Sequence, residues 1–171
     1  VTSLTYEDVN TPGNCTGTYS ITRTWTAKDA CNNISLPVSQ TINVVDTTAP
    51  IWTTLATSLD VTLECSDIAG LATAQNQAPI AADNCSTVTY TKTSGNFIAG
   101  SCANSGTYTN TWVAQDACLN SSTTFTQIIT IQDTSVPIWT TASNALNVTL
   151  QCSDAAGLTA AQNQAPVATD N

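Results

Sequence analysis

The stretch Phe125-Thr126-Gln127-Ile128-Ile129-Thr130-Ile131-Gln132-Asp133 decides the fold. Phe125, Ile129 and Ile131 keep one parity, and residues two apart on a strand share a face. Earlier in the chain, Val38, Ile42 and Val44 hold the same places and are apolar too. The face they share is therefore read as the core of a β-layer. The spacing between the two stretches is 87 residues, and it recurs throughout. Cys15 returns as Cys102, Cys31 as Cys118, Cys65 as Cys152, and Trp25 as Trp112. Residues 1–84 lie over residues 88–171 without a gap, and about half of the aligned pairs are identical. A period this long is a small domain rather than a solenoid turn.

Working outward, two proline-containing links divide the chain: Asp46-Thr47-Thr48-Ala49-Pro50 and Asp133-Thr134-Ser135-Val136-Pro137. Proline does not continue a central strand, so each link marks a break. The expected organisation is the back part of one unit in 1–48, a complete unit in 49–135, and the front part of a third in 136–171. Within the complete unit, Leu59, Val61 and Leu63 alternate as a first strand. Ser66 or Asp67 caps a short helical turn over 68–75. Ala78, Ile80 and Ala82 read as a second strand, and Val88 and Tyr90 as a third. Phe97 and Ile98 lie in a weaker region broken by Gly95 and Gly100. Tyr108, Trp112 and Ala114 lie on the strand that precedes Phe125–Ile131. About seven short strands with turns between them predict an all-β chain of tandem immunoglobulin-like β-sandwich repeats.

Composition narrows the job. The net charge is −9, and the only cations are Arg23, Lys28 and Lys92. Nucleic acid and anionic membranes are recognised by Lys and Arg, so neither is an expected partner. No stretch has the apolar length to span a bilayer, so no direct membrane insertion is expected. Abundant Thr with β-branched residues suits strands with hydroxylated outer faces. Seven cysteines at repeated positions, with no His and no CxxC, suit disulfides better than zinc. That predicts an oxidising setting, extracellular or periplasmic.

Four cysteines per unit allow three pairings. Cys65 ends the first strand and Cys102 precedes the Tyr108 strand, so both belong to one pole of a sandwich. Cys85 and Cys118 belong to the opposite pole. The expected bridges are Cys65–Cys102 and Cys85–Cys118, with Cys15, Cys31 and Cys152 pairing outside the window. The sequence-local alternative, Cys65–Cys85 with Cys102–Cys118, stays open.

The phrases Ala82-Asp83-Asn84-Cys85, Trp112-Val113-Ala114-Gln115-Asp116-Ala117-Cys118 and Val44-Val45-Asp46-Thr47-Thr48-Ala49-Pro50 resemble HYR (hyalin-like) repeats. Closer still are the Cys-rich variants repeated in giant surface adhesins of Bacteroidota, including those of gliding motility. That pattern usually has Gly after Asp-Ala-Cys, where this chain has Asn32 and Leu119. The resemblance implies an extracellular immunoglobulin-like module, secreted and anchored to the outer membrane through another region. It implies adhesion or surface-filament roles and no catalysis.

The residues agree on catalysis: there is no His, and Glu occurs only at Glu7 and Glu64. A nucleophile would have no visible base, so no enzyme is expected. Calcium is the candidate cofactor. Asp46 of a link, Asp83 and Asp116 converge at one pole if the sandwich reading holds, and Ca²⁺ takes carboxylate oxygens. The competing reading has these Asp residues capping turns, with Asp83-Asn84 making an Asx-turn. Asn-x-Ser/Thr triplets open at Asn14, Asn33, Asn84, Asn120 and Asn147. Pro50, Trp52, Pro137 and Trp139 are expected to pack against the neighbouring unit, with a sugar-stacking role for the two Trp as the alternative. The expected function is a structural stalk or filament segment of a cell-surface adhesin whose partners are the neighbouring repeats. Two alternatives are a multivalent module for surface polysaccharide and a subunit of a strand-exchanged filament.

Overall fold

The computed structural model describes residues 1–102 and 104–171. In chain order the elements are β1 (Ser3–Pro12), β2 (Tyr19–Lys28), β3 (Val38–Val44), β4 (Ile51–Trp52), β5 (Val61–Glu64), α1 (Ile68–Asn76), β6 (Ala81–Ala82), β7 (Thr89–Ser94), β8 (Ile98–Ala99), β9 (Gly106–Gln115), β10 (Phe125–Gln132), β11 (Ile138–Trp139), α2 (Ala155–Gln162) and β12 (Ala168–Thr169). The architecture is all-β with two short helices. No described helix is long and apolar enough to cross a membrane.

The first sheet is an antiparallel β1-β2-β3 meander, and the second runs β5-β10-β9-β7 with β8 also on β9. β5 pairs parallel to β10 through Val61↔Ile129 and Leu63↔Ile131. β4 and β6 make a two-stranded ribbon of their own, and so do β11 and β12.

The core of the middle segment lies on the inner face of β9 and β10. Trp112, Ala114, Phe125, Ile129 and Ile131 are buried there, as the alternation predicts. Ile129 and Ile131 pack with Ala74 of α1, and Val61, Leu63, Leu71 and Tyr108 close around them. The opposing layer is thinner than a second sandwich sheet: it consists of α1 and the β4–β6 ribbon. Trp52 of β4 lies across Phe125 at 5.3 Å and Tyr90 at 6.1 Å. Its indole N–H donates to the Thr123 carbonyl at 2.7 Å.

Three expectations need correction here. Trp52 packs inside its own unit, because the ribbon is too short to bury Phe125 unaided and the indole supplies the missing area. Its period mate Trp139 is 65% exposed, and Pro137 is exposed as well. The second expected strand, read over Ala78, Ile80 and Ala82, shrinks to the two residues of β6. Pro79 and Ala81 are buried, while Ala78, Ile80 and Ala82 are exposed. A strand of two residues is too short for alternation to report its inner face. α1 forms where the capping pattern places it, with Asp67 as the cap: its Oδ1 accepts from Gly70 N at 2.8 Å.

A polar pair also sits in the core. Asn110 donates to Gln127 Oε1 at 3.0 Å and to Gln75 Oε1 at 2.9 Å. Gln127 Nε2 donates to the carbonyls of Leu59 at 2.9 Å and Ala74 at 3.2 Å. Gln127 thus sits at core parity because it ties α1 and the approach to β5 onto the sheet. An unmet amide there would cost about 1–3 kcal/mol.

Candidate functional site

The loops at one pole of the middle segment meet the link that leaves β3. Asp46 follows β3, Asp83 follows β6 and Asp116 follows β9. One carboxylate oxygen from each lies within 4.8 Å of the others. The three aspartates named from sequence are therefore brought together.

Each also shapes a turn. Asp116 Oδ1 accepts the N–H groups of Cys118 and Asn120 at 2.8 Å each, and its Oδ2 accepts Asn120 Nδ2 at 2.8 Å. Burial opposes ionisation of Asp116, but these donors outweigh it and hold its pKa below the usual carboxylate value. Asp83 Oδ2 accepts Cys85 N at 2.9 Å and Ser86 N at 3.0 Å. Asp46 Oδ1 accepts Thr48 N at 3.1 Å. Capping thus occupies one oxygen of Asp46 and one of Asp83. The other two, Asp46 Oδ2 and Asp83 Oδ1, are buried with no hydrogen-bond donor. Buried carboxylate oxygens without donors are costly, and like charges this close repel. A hard divalent cation relieves both costs, and carboxylates are the ligands calcium takes.

Two further contacts tie the pole together. Asn120 Nδ2 also reaches the Asp46 carbonyl at 3.2 Å, linking the β9–β10 turn to the incoming link. Ala117 N donates to Ser86 Oγ at 3.1 Å, joining the loops that carry Asp83 and Asp116. Sequence reading missed Asn120 as a bridging residue. The signal was its recurrence as Asn33, whose side chain holds Asp29 at 2.8 Å in the same way.

The cysteines depart from expectation. Cys118 is bonded to Cys15, across 103 residues and with Cα atoms 5.1 Å apart. Cys85, expected to be its partner, is unbonded, and so are Cys31, Cys65, Cys102 and Cys152. Neither expected bridge, Cys65–Cys102 nor Cys85–Cys118, is formed, and Cys15, expected to pair outside the window, pairs within it. The β1–β2 loop reaches over from the first segment and lies against Cys85. A Cβ at Gly17 would stand 3.4 Å from that of Cys85. Where two poles abut, the neighbour's cysteine is as accessible as the unit's own. Cys85 is left beside the three aspartates. Partial desolvation first, and then the charges of Asp46, Asp83 and Asp116, push its thiol above the ordinary range.

Asn32 and Leu119 both adopt φ +70°, the left-handed region where glycine is free and a branched side chain is not. No family model, curated protein or solved structure matches this chain.

Proposed function

We propose that the chain is a segment of an extracellular stalk, in which each junction between repeats is locked rather than hinged. The carrying observation is the Cys15–Cys118 bridge, which joins the first segment to the middle one at the pole where Asp46, Asp83 and Asp116 gather. A disulfide closing a loop of this length removes unfolded-chain entropy on the order of 4 kcal/mol in the chain-entropy model. Calcium held by Asp46 from one segment and Asp83 and Asp116 from the next adds a second, reversible lock. The likeness to Cys-rich HYR repeats supports a surface adhesin, exported and anchored through another region. The acidic, hydroxyl-rich surface suits a stalk that must stay apart from its neighbours.

The test is small-angle X-ray scattering on an array of several periods, with and without chelator and reductant. The expected result is a rod that bends only when the chelator and the reductant act together. A flexible string under all conditions contradicts the reading.

A further inference from the structure

Trp52 and Phe125 floor a cleft of about 480 Å³, with Leu55, Thr57, Thr123 and Thr124 among its walls. The Trp52 ring is fixed in place. Its indole N–H holds the Thr123 carbonyl at 2.7 Å, and its centroid lies 5.3 Å from that of Phe125. Trp52 remains only half-buried, and Leu55 beside it is 78% exposed. None of the described residues that line the cleft is charged. The cleft thus joins an apolar floor to a rim of hydroxyl groups.

One period on, Trp139, Ala142, Asn144 and Leu146 line a cleft of about 510 Å³, again with no charged residue among the described ones. Its construction repeats bond for bond. Thr54 N donates to the Ile80 carbonyl at 3.1 Å, and Thr54 Oγ1 accepts Ile80 N at 2.8 Å; Thr141 does the same with Val167 at 3.2 and 2.8 Å. Asp60 N closes on the Thr57 carbonyl at 3.0 Å, and Asn147 N on the Asn144 carbonyl at 3.0 Å. Thr57 and Asn144 both adopt the left-handed backbone, at φ +64° and +68°. Asn enters that region readily, but a β-branched residue does so at a cost. Thr57 is exposed, so no core packing accounts for it. Strain of this kind gathers at ligand-holding sites.

We propose that the Trp52 cleft, and the Trp139 cleft one period on, each bind a neutral pyranose unit of a polysaccharide. The chemistry of the lining selects this class. A pyranose ring has apolar C–H faces, which suit an indole and phenyl floor, and a belt of hydroxyls, which suits threonine hydroxyls and backbone carbonyls at the rim. A charged sugar would lose water against that floor without gaining a partner. An acidic one would also be repelled by a chain of net charge −9. The volume matches a small-ligand cleft, for which about 300–1,000 Å³ is usual. Every residue of the Trp52 cleft belongs to the middle unit, so binding there is independent of how the junctions are tied. Clefts repeated along an array let weak single-site binding add up on one long polysaccharide.

The test titrates the chain with cellotetraose, maltotetraose and, as the anionic control, tetragalacturonate, and follows the indole N–H signals of the four Trp by NMR. The expected result is movement of the Trp52 and Trp139 signals with at least one neutral tetrasaccharide, at an affinity on the order of 1 mM, while the buried Trp112 stays still. Tetragalacturonate should move none of them. Trp52→Ala would strip Phe125 of its cover and unfold the unit, so Leu55→Asp is the informative variant. Leu55 is exposed, and a carboxylate at the rim should weaken the Trp52 response at least about tenfold while Trp139 keeps its own. Ala142→Asp should do the reverse. Still Trp52 and Trp139 signals with both neutral sugars, a shift confined to Trp25, an equal response to tetragalacturonate, or a Trp52 response indifferent to Leu55→Asp overturns the assignment.

Discussion

β1–β3 and β7–β10 are the same sheet by sequence, yet they differ in two ways. The first difference is cover. In the middle sheet α1 and the β4–β6 ribbon close the inner face, and Trp112 is 2% exposed and Ile129 fully buried. Among the described residues none covers that face of the first sheet: Ile42 is 42% exposed, and Leu4, Trp25, Ala27, Leu36 and Val38 line an open apolar trough. The second difference is register. β1 pairs with β2 unbroken from Ser3↔Lys28 to Pro12↔Tyr19. On β9 the ladder breaks between Ser94↔Asn110 and Ile98↔Thr107, so that Gly95, Asn96 and Phe97 face only Thr109 and Tyr108. This bulge shifts β7 by one residue, and a one-residue slip turns every side chain to the other face. Tyr90 and Lys92 thus stand where Leu4 and Tyr6 stand on β1. Tyr90 bonds the Ala81 backbone in both directions, and Lys92 lies over Trp112. The comparison teaches that a gapless sequence repeat can hide a structural insertion. The slip falls in the segment where the two copies differ most.

Equivalent substitutions in the two sheets sharpen this contrast. Trp112→Ala should destabilise the middle segment by about 3–5 kcal/mol, and Trp25→Ala by less than about 1 kcal/mol, in chemical denaturation. Equal losses would mean that the first sheet is covered after all. Gln127→Ala removes one of the two acceptors of Asn110 Nδ2 and the side-chain donor to the Leu59 carbonyl, and should cost about 1–3 kcal/mol, while Gln40→Ala should be near neutral. Gly106→Ala meets the Ile98 carbonyl and the Phe97 ring, at a cost of about 1–3 kcal/mol. Its period mate is Tyr19, so Tyr19→Ala should be mild; a Gly106→Ala variant that melts like wild type would dispute the bulge. Smallest is Leu119→Gly, which should gain about 0.5–1 kcal/mol by relieving the left-handed backbone, against a few tenths for Asn32→Gly.

Acid should act on both sheets alike. Asn33 and other donors hold Asp29 below its usual pKa, as Asn120 helps to do for Asp116. A folded-state pKa below the unfolded one gives stability that is present above the unfolded value, near pH 4, and is lost as pH falls through the folded value. A pH titration of unfolding should therefore show both segments weakening below about pH 4. A loss beginning near neutrality would require another group.

The elements that carry strong periodicity were legible. Phe125, Ile129 and Ile131 face the core because alternation over a long strand reports the buried side directly, and Asp67 caps α1 through short-range chemistry. Gln127 was not legible: a polar residue at core parity reads as an interruption until its carbonyl partners are known. The roles of Trp52 and Ile80 depend on a ribbon of two residues per strand, too short for a pattern. The three aspartates could be gathered from topology alone. The partner of Cys118 could not, since own-unit and neighbour-unit cysteines share one pole, and contact rather than sequence selects between them.

The most direct test of the locked junction is the identity of the residue bonded to Cys118 in the oxidised chain, read from a non-reducing peptide map with Cys15→Ser and Cys85→Ser variants. The account predicts a Cys15–Cys118 peptide that survives Cys85→Ser and disappears in Cys15→Ser. A Cys85–Cys118 peptide in the unsubstituted chain, unaffected by Cys15→Ser, would contradict it and return each repeat to a unit stapled within itself.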